Sequence, residues 1–579
     1  MSDFGDITFV STSRRRRFRR PVRVYETRNP AEARFLLDVI DAEVRSGYHA
    51  AGFLAYEAAP AFDPALQTHP PTELPVLWFG IYAQPDEGEA EPPGEHYNLN
   101  AWEPCVSEED YRETVARLRE WIAAGDTYQV NYTFPLRTAF HGSSLHWFHD
   151  LCEAQRADYC AHLNTGRFHI VSASPELFFE LDGEMLRTKP MKGTAPRGRF
   201  SEEDRANANA LRASIKDRAE NVMIVDLLRN DMGRISRTGS VRVESLFDVE
   251  RYPTVWQMTS TIASRTDAAV PEIFAALFPS GSVTGAPKVR TMEIIRAIER
   301  VPRGVYCGAV GWWGPERRAS FNVAIRTAVI DTEDSSATYF VGSGITWDSS
   351  AEAEYAECLN KAWVLRPPER PFALLESLLF DGAYALLDLH LARLQESADY
   401  FGYPFDRGRV MSQLDAAARA YAGSALKVRL LLDRDGNCHA ESAPAPETRR
   451  MRLGLATQAV DSQEVFLFHK TTNRTVYERA RASRADCDDV LLWNERGEIT
   501  ESTVANVVLE LDGSFITPPQ TCGLLAGTFR AHLLTTGRVT ERVVTIDDLD
   551  RCKAIHLINS VRGWISVEFV QDAAPFVRP

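Results

Sequence analysis

The chain of 579 residues is longer than one ordinary core organises, so two or three domains are expected. Hydrophobic residues make up 44% and charged residues 25%, the balance of a soluble globular protein, and a net charge of -15 argues against a general nucleic-acid binder. No apolar run approaches the roughly 20 residues that a membrane helix needs, and nine cysteines without a CxxC pair point to reduced thiols in a cytoplasmic protein rather than to disulfides or zinc.

In chain order, the arginine run Arg14 to Arg20 comes first. No apolar core follows it, as a signal peptide requires, so residues 1–22 are read as a disordered basic tail, with a nucleic-acid arm as the other reading. Ala83 to Glu95 reads as a surface loop. Strand-like runs such as "RFHIVSASPELFFEL" and "GVYCGAVGWW" alternate with helical ones, the longest being a single helix over 208–231. The stretch "TKPMKGTAPRG", Thr188 to Gly198, carries two lysines in a Pro- and Gly-rich context that excludes a helix; Lys192 there is either a surface charge or a reactive amine. From Ala351 another helix is expected, with Glu354, Glu357 and Lys361 on one face. That spacing suits a solvated Glu-Lys pair or a face that holds a hard cation. Lys216, Asp217 and Glu220 form a similar cluster before the apolar run Val222 to Leu228. The proline-rich "RPPERP", 366–371, reads as a linker between a domain over 23–365 and one over 372–579. The second part again mixes strands ("LKVRLLL", "NVVLEL") with helices ("ARLQESADYFGY", "TVYERARASRA").

Taken together, "GDTYQVNYTF", "SASPELFFE", "TKPMKGTAPRG", "KDRAENVMIVDLLRNDMGRI", "SGSVTGAPKVRTMEII", "GVYCGAVGWW", "NVAIRT" and "GSGITWDS…EAEYAECLNK" form an ordered set. This set resembles the chorismate-utilising enzymes, a family that includes anthranilate synthase and aminodeoxychorismate synthase components I and the isochorismate and salicylate synthases. The resemblance runs from about Val24 to Leu365 and implies an α+β domain of two packed β-sheets flanked by helices. It implies that Glu220 and Glu357 hold Mg2+, with Glu354 and Asp217 nearby, and that Tyr306, Arg326, Gly342 and Lys361 bind the carboxylates of chorismate. Glu176 corresponds to the general acid for the departing 4-hydroxyl, and Thr194 to a residue that orients it.

Two positions divide the family. Where the isochorismate-type enzymes carry a water-activating lysine, this chain has Gln129, which disfavours water and leaves ammonia as the nucleophile. Anthranilate synthases usually have Ala before Gly-Thr; this chain has Lys192, like the aminodeoxychorismate synthases. The resemblance then implies that Lys192 attacks C2 of the ring as an uncharged amine and that ammonia replaces the 4-hydroxyl. Gln257 stands where family members often carry His.

In the second part, "LLDLHLARL", "HKTTNRTVYERA", "GEITESTVANVVLEL" and "GLLAGTFRAHLL" resemble the class IV pyridoxal-phosphate enzymes, which include branched-chain and D-amino-acid aminotransferases and 4-amino-4-deoxychorismate lyase. The resemblance covers about Phe372 to Phe569 and implies a smaller fold-type IV α/β domain. By it, Lys470 forms the Schiff base with pyridoxal 5'-phosphate, Glu501 pairs with the pyridinium nitrogen, and Arg393, Thr528 and the backbone around Thr503 and Val504 bind the phosphate. The family's usual N-terminal strand is absent before "LLESLLFDGAYAL".

The two resemblances together imply a cytoplasmic bifunctional enzyme that converts chorismate and ammonia to 4-amino-4-deoxychorismate and then, with loss of pyruvate, to 4-aminobenzoate. No cysteine sits in a Gly-rich nucleophile elbow, so a separate class I glutaminase subunit, or free ammonium, is expected to supply the nitrogen. An anthranilate synthase fused to a class IV aminotransferase is the alternative, and a binding protein that retains the folds without catalysis is a third reading.

Overall fold

The computed structural model describes residues 3–11, 14–86, 96–365, 371–419, 421 and 423–570. It divides into two compact units, Met1–Arg197 with Asn207–Pro368, and Gly198–Ala206 with Glu369–Pro579. Residues 366–370 of the expected linker and 87–95 of the expected loop lie outside the described residues.

The first unit contains two ten-stranded sheets. In one, Gln129–Gly142 pairs antiparallel with Ser336–Ile345, in register from Val130 opposite Ile345 to Ala139 opposite Ser336. In the other, Met191–Pro196 lies at one end beside Val255–Arg265, and Arg23–Thr27 at the far end beside Leu77–Tyr82. Side chains alternate across these strands. Phe53, Phe79, Phe179 and Phe321 of the second sheet therefore share one core with Ala161, Leu163 and Ile170 of the first. Each fully buried ring contributes about 1.5–3 kcal/mol. The opposite face of the first sheet is covered by helices Glu108–Ala123, Ser144–Gln155, Lys288–Ile298 and Ala351–Lys361, through Tyr111, Leu118, Trp147, Phe148, Ile294 and Cys358.

Two expectations from the sequence are corrected. The described residues of 1–22 are ordered rather than a disordered tail: Ile7–Val10 pairs with Arg15–Phe18 and, on its other side, with Tyr159–Asn164. Phe18 and Ile7 enter the core, Arg17 is buried, and Arg16 lies 3.5 Å above the Trp312 ring, so the arginines belong to an edge strand anchored by its apolar partners. The single helix over 208–231 is two helices, Ser201–Ala213 and Ile215–Gly233. Ser214 breaks it, because its hydroxyl accepts from the Asp217 amide and so starts a new helix.

A third feature positions chemistry. "RFHIVSASPELFFEL" is two strands, Phe168–Ser174 in one sheet and Leu177–Asp182 in the other. Pro175 and Glu176 occupy the crossing between the sheets.

The second unit has a three-stranded antiparallel sheet, Leu374–Phe380, Leu426–Leu432 and Cys438–Pro444, with helices Leu387–Phe401 and Arg407–Ala418 on it. "LKVRLLL" reads correctly as a strand because Leu426, Val428, Leu430 and Leu432 alternate inward. The unit's second sheet has eight strands and is mixed; Met451–Leu455 runs parallel to both Asp489–Trp493 and Gly563–Val570. The Leu375 amide donates to the Lys470 carbonyl at 2.9 Å, which ties the smaller sheet to the loop that carries this lysine. Among the described residues no helix is long and apolar enough to cross a membrane.

Candidate active sites

Lys192 lies on the strand Met191–Pro196, where the register slips between Met191 and Thr194. The slip depends on Gly193, whose φ of +98° suits glycine and whose missing side chain would meet the Asp217 Cβ at 2.9 Å. Asn221, buried on the helix Ile215–Gly233, donates to the Lys192 carbonyl at 3.4 Å and accepts from Ser260 Oγ at 2.6 Å. The lysine side chain points inward. A Cβ on Gly344 would overlap both Lys192 Nζ and Gln129 Nε2, so the strand Ser336–Ile345 passes this amine without a side chain between them. Gln129 is buried, and its Oε1 has no hydrogen-bond partner.

Burial lowers the Lys192 pKa, while Glu220, Glu357 and Glu354 act in the opposite direction and Lys361 adds to the lowering; the net direction is down. Burial also lifts the Glu176 carboxyl, to about 7, although Ser282 and Lys192 restrain it. Ser282 Oγ donates to Glu176 Oε1 at 2.5 Å. A carboxyl that keeps its proton near neutral pH stands beside an amine that loses its proton more readily than usual.

The acidic residues come from two helices. Burial raises Glu220, which Lys192 and Lys216 partly offset. Burial would also raise Glu357, but Lys361, 2.7 Å away, reverses this and leaves it below the ordinary value. Glu354 Oε1 accepts from Ser349 at 2.8 Å, and Asp217 accepts from Ser214, the cap of its own helix. Carboxylate oxygens are the donors Mg2+ prefers, and Glu220, Glu354 and Glu357 all act on the same amine. Among the described residues, no three acidic, histidine or cysteine side chains are gathered as a finished metal centre.

The expected carboxylate-binding residues fall around the C-terminal end of the helix Ala351–Lys361. Lys361 Nζ donates to the Gly342 carbonyl at 2.9 Å, and Arg326, at a positive φ, donates to the Lys361 carbonyl. Tyr306 is buried and stacks on Phe340, with ring centroids 5.3 Å apart. Thr194 is exposed and donates to Gln257 at 3.0 Å; Gln257 in turn donates to the Gly193 carbonyl at 2.8 Å. Gln257 therefore fixes the Gly-Thr backbone.

In the second unit, burial brings Lys470 down to about 8; Arg393 and Arg474 add to the lowering, while Glu376 and Glu501 oppose it. Burial holds the Glu501 carboxyl at about 7. Glu501 accepts from Tyr477 Oη at 2.8 Å, the Leu525 amide at 3.0 Å and Asn506 Nδ2 at 3.0 Å. Arg393 is forked onto Glu376 through Nε (2.9 Å) and Nη2 (2.7 Å), and its Nη1 donates to the Ala526 carbonyl at 3.2 Å. His390, one turn before Arg393, bridges Glu376 at 2.6 Å and Thr528 at 3.2 Å. Burial would raise Glu376, but Arg393 and His390 hold it at about 2. Thr528 begins the helix Thr528–Thr535. Thr503 Oγ1 donates to Asp489 at 2.5 Å, and the Val504 amide donates to Ser502 Oγ at 3.4 Å while its side chain is exposed.

Ser282, Asn221, Gly344, Glu376, His390, Tyr477 and Asn506 were not singled out from the sequence. Only His390 carried a local signal, since it shares a helix face with Arg393 at i, i+3. The others arrive from distant strands and loops.

Both units resemble known proteins. Residues 8–367 match the chorismate binding enzyme family and residues 373–569 match amino-transferase class IV. The chain belongs to the chorismate binding enzyme family and carries a class IV aminotransferase-type domain after it. It is 39% identical over 264 residues to aminodeoxychorismate synthase component 1 of Bacillus subtilis, which covers 45% of this chain and 55% of that protein. It is 39% identical over 272 residues to the protein of the same name from Escherichia coli (46% and 60%), and 39% over 273 residues to anthranilate synthase component 1 of Streptomyces coelicolor (47% and 53%). The chain thus spans between half and three fifths of the length of these relatives. Among solved structures, anthranilate synthase component I from Streptococcus pneumoniae has a TM-score of 0.51 at 24% identity, covering 62% of this chain and 90% of its own. The menaquinone-specific isochorismate synthase of E. coli has 0.51 at 18%, covering 63% and 88%. These two share the fold of the first unit.

Proposed function

We propose that the first unit replaces the 4-hydroxyl of chorismate by an amino group, and that the second converts the product, 4-amino-4-deoxychorismate, to 4-aminobenzoate and pyruvate. The observation that carries this reading is the half-buried Lys192, its pKa lowered by desolvation, set among Glu220, Glu354 and Glu357 beside a buried Glu176 whose carboxyl is raised to about 7.

The Lys192 amine attacks C2 of the ring, and the 4-hydroxyl departs as water with the proton of Glu176. Ammonia then adds at C4 and expels the lysine, which regains its amine. Arg326, Tyr306, Lys361 and the Gly342 backbone orient the substrate's carboxylates, and Thr194 orients the leaving group. Glu220 and Glu357 would hold Mg2+, with Glu354 and Asp217 close by; a bound ion would neutralise the ring carboxylate. Gln129 offers no base for water. Cys307, whose thiol burial pushes up to about 12, is no substitute for a glutaminase nucleophile. The nitrogen is therefore supplied by a separate glutaminase subunit, as the "component 1" of the relatives' names suggests, or by free ammonium.

In the second unit the half-buried Lys470 and the buried carboxyl of Glu501 fit pyridoxal phosphate, which would supply electron withdrawal when bound. Lys470 would move the C4 proton, Glu501 would pair with the ring nitrogen, and Arg393 and Thr528, with the Thr503–Val504 backbone, would hold the phosphate. Because Arg393 is already paired with Glu376, it contributes orientation as much as charge.

Anthranilate synthase joined to an aminotransferase is the second reading, since relatives of both names match at 39%. Lys192 favours the first. Purified chain given chorismate, Mg2+, pyridoxal phosphate and ammonium is expected to release 4-aminobenzoate and pyruvate in equal amounts. Release of anthranilate would overturn the proposal, and accumulation of the amino intermediate would leave only its first half.

A further inference from the structure

Ser282 lies on a short 3-10 turn, Gly281–Val283, well away in sequence from Glu176, yet its hydroxyl is directed at one carboxyl oxygen, Oε1, at 2.5 Å. Both side chains are buried. The turn is held from behind. Ser280 Oγ lies 2.9 Å from Ser282 Oγ. The Val283 carbonyl accepts from Arg303 Nη1 at 2.8 Å and from Asn131 Nδ2 at 3.1 Å. Arg303 is itself clamped by Glu299, with Nε to Oε2 at 2.9 Å and Nη2 to Oε1 at 2.7 Å, and its Nη2 also reaches the Asn131 carbonyl at 2.7 Å. Glu299 further accepts from the Thr133 amide and hydroxyl at 3.0 and 2.9 Å. This buried ion pair has several partners, which makes it a rigid mount.

A hydroxyl that donates to Oε1 occupies one of that oxygen's lone pairs and lowers its basicity relative to Oε2. We infer that Ser282 is a positioning residue that favours the transferable proton of Glu176 on Oε2, and that the Glu299–Arg303 pair holds the Ser282 turn in register for this. The inference rests on the reading of Glu176 as the general acid. It also explains why an acidic side chain between two sheets needs a partner contributed by a separate segment: backbone alone fixes where Glu176 is, and Ser282 biases which of its oxygens delivers the proton.

Donation from Ser282 favours the charged carboxylate, so its loss raises the Glu176 pKa. The reaction requires protonated Glu176, and its rate falls on the basic side as that proton is lost. In Ser282→Ala the basic limb of kcat/KM for chorismate, measured on the full chain with saturating Mg2+ and ammonium, is expected to move up by about one pH unit. The pH-independent rate is expected to fall about tenfold through loss of orientation. Ser282→Thr, which keeps the hydroxyl, is expected to restore the native limb; Arg303→Lys, which keeps the charge without the fork, is expected to behave as a weaker Ser282→Ala. An unmoved limb in Ser282→Ala, alongside an inactive Glu176→Gln, would overturn the inference alone. Native activity in Glu176→Gln would overturn the general-acid reading and this inference with it.

Discussion

In the first unit Lys192 is ringed by Glu220, Glu354 and Glu357 with one further cation, Lys361; in the second, Lys470 sits between Arg393 and Arg474, with Glu376 and Glu501 opposing them. Burial lowers both lysines. The neighbours differ as the proposed ligands would require: carboxylates suit a hard cation, and arginines suit a phosphate. A carboxylate ring restrains the deprotonation that burial promotes, and an arginine pair reinforces it. The acid beside each lysine is alike, since Glu176 and Glu501 are both held near pH 7 by burial. Desolvation therefore shifts both lysines down and both carboxyls up, and it is the surrounding charges that differ between the two units.

The comparison breaks most sharply if the lysines are removed in turn. Lys192→Ala is expected to stop chorismate amination by about a thousandfold or more while the pyridoxal-phosphate absorbance band persists; Lys470→Ala is expected to lose that band and leave amination intact. Loss of both activities in either variant would contradict two independent pockets. Next in size is Gly344→Ala. Its Cβ would overlap Lys192 Nζ and Gln129 Nε2, so amination is expected to fall about a hundredfold with the thermal midpoint and the cofactor band unchanged.

A smaller effect sharpens the electrostatic contrast. Arg474 pushes Lys470 down, so Arg474→Gln is expected to raise the pH at which the cofactor-free chain reacts with an amine-specific label, by less than one unit. The smallest concerns stability. Glu57, Glu176 and Glu501 are each raised by burial from an ordinary 4.5 to about 7. The folded chain keeps protons that the unfolded chain has lost between about pH 4.5 and 7, so the stability these groups contribute falls as pH rises through that window. Burial lowers the pKa values of His49, His149, His162 and His169, which act in the opposite direction, so the test is a difference: between pH 5 and 7.5 the thermal midpoint of Glu57→Gln is expected to fall less, or rise more, than that of the native chain.

Much of this was legible in the sequence where chemistry is local. Helix Ala351–Lys361 begins at the residue expected, and strands Leu426–Leu432 and Asn506–Leu511 coincide with the strand-like runs read there. The break at Ser214 was also legible, because Ser-Ile-Lys-Asp is a capping sequence, but the charge pattern on either side masked it. The arginine-rich N-terminal strand was not, since what orders it is Tyr159–Asn164, far along the chain. Ser282, Glu376 and Tyr477 were invisible for the same reason: each acquires its role from a side chain on another element, and a period of two or of 3.6 carries no record of such partners.

The proposed amination requires the amine of Lys192 to bond to the chorismate ring. Intact-mass and peptide mapping of the full chain, incubated with chorismate and Mg2+ in the absence of ammonium, test it directly. An adduct of chorismate less water is expected on the peptide that contains Lys192, discharged when ammonium is added and absent from Lys192→Ala. Normal amination by Lys192→Ala, with no adduct on the native chain, would contradict it.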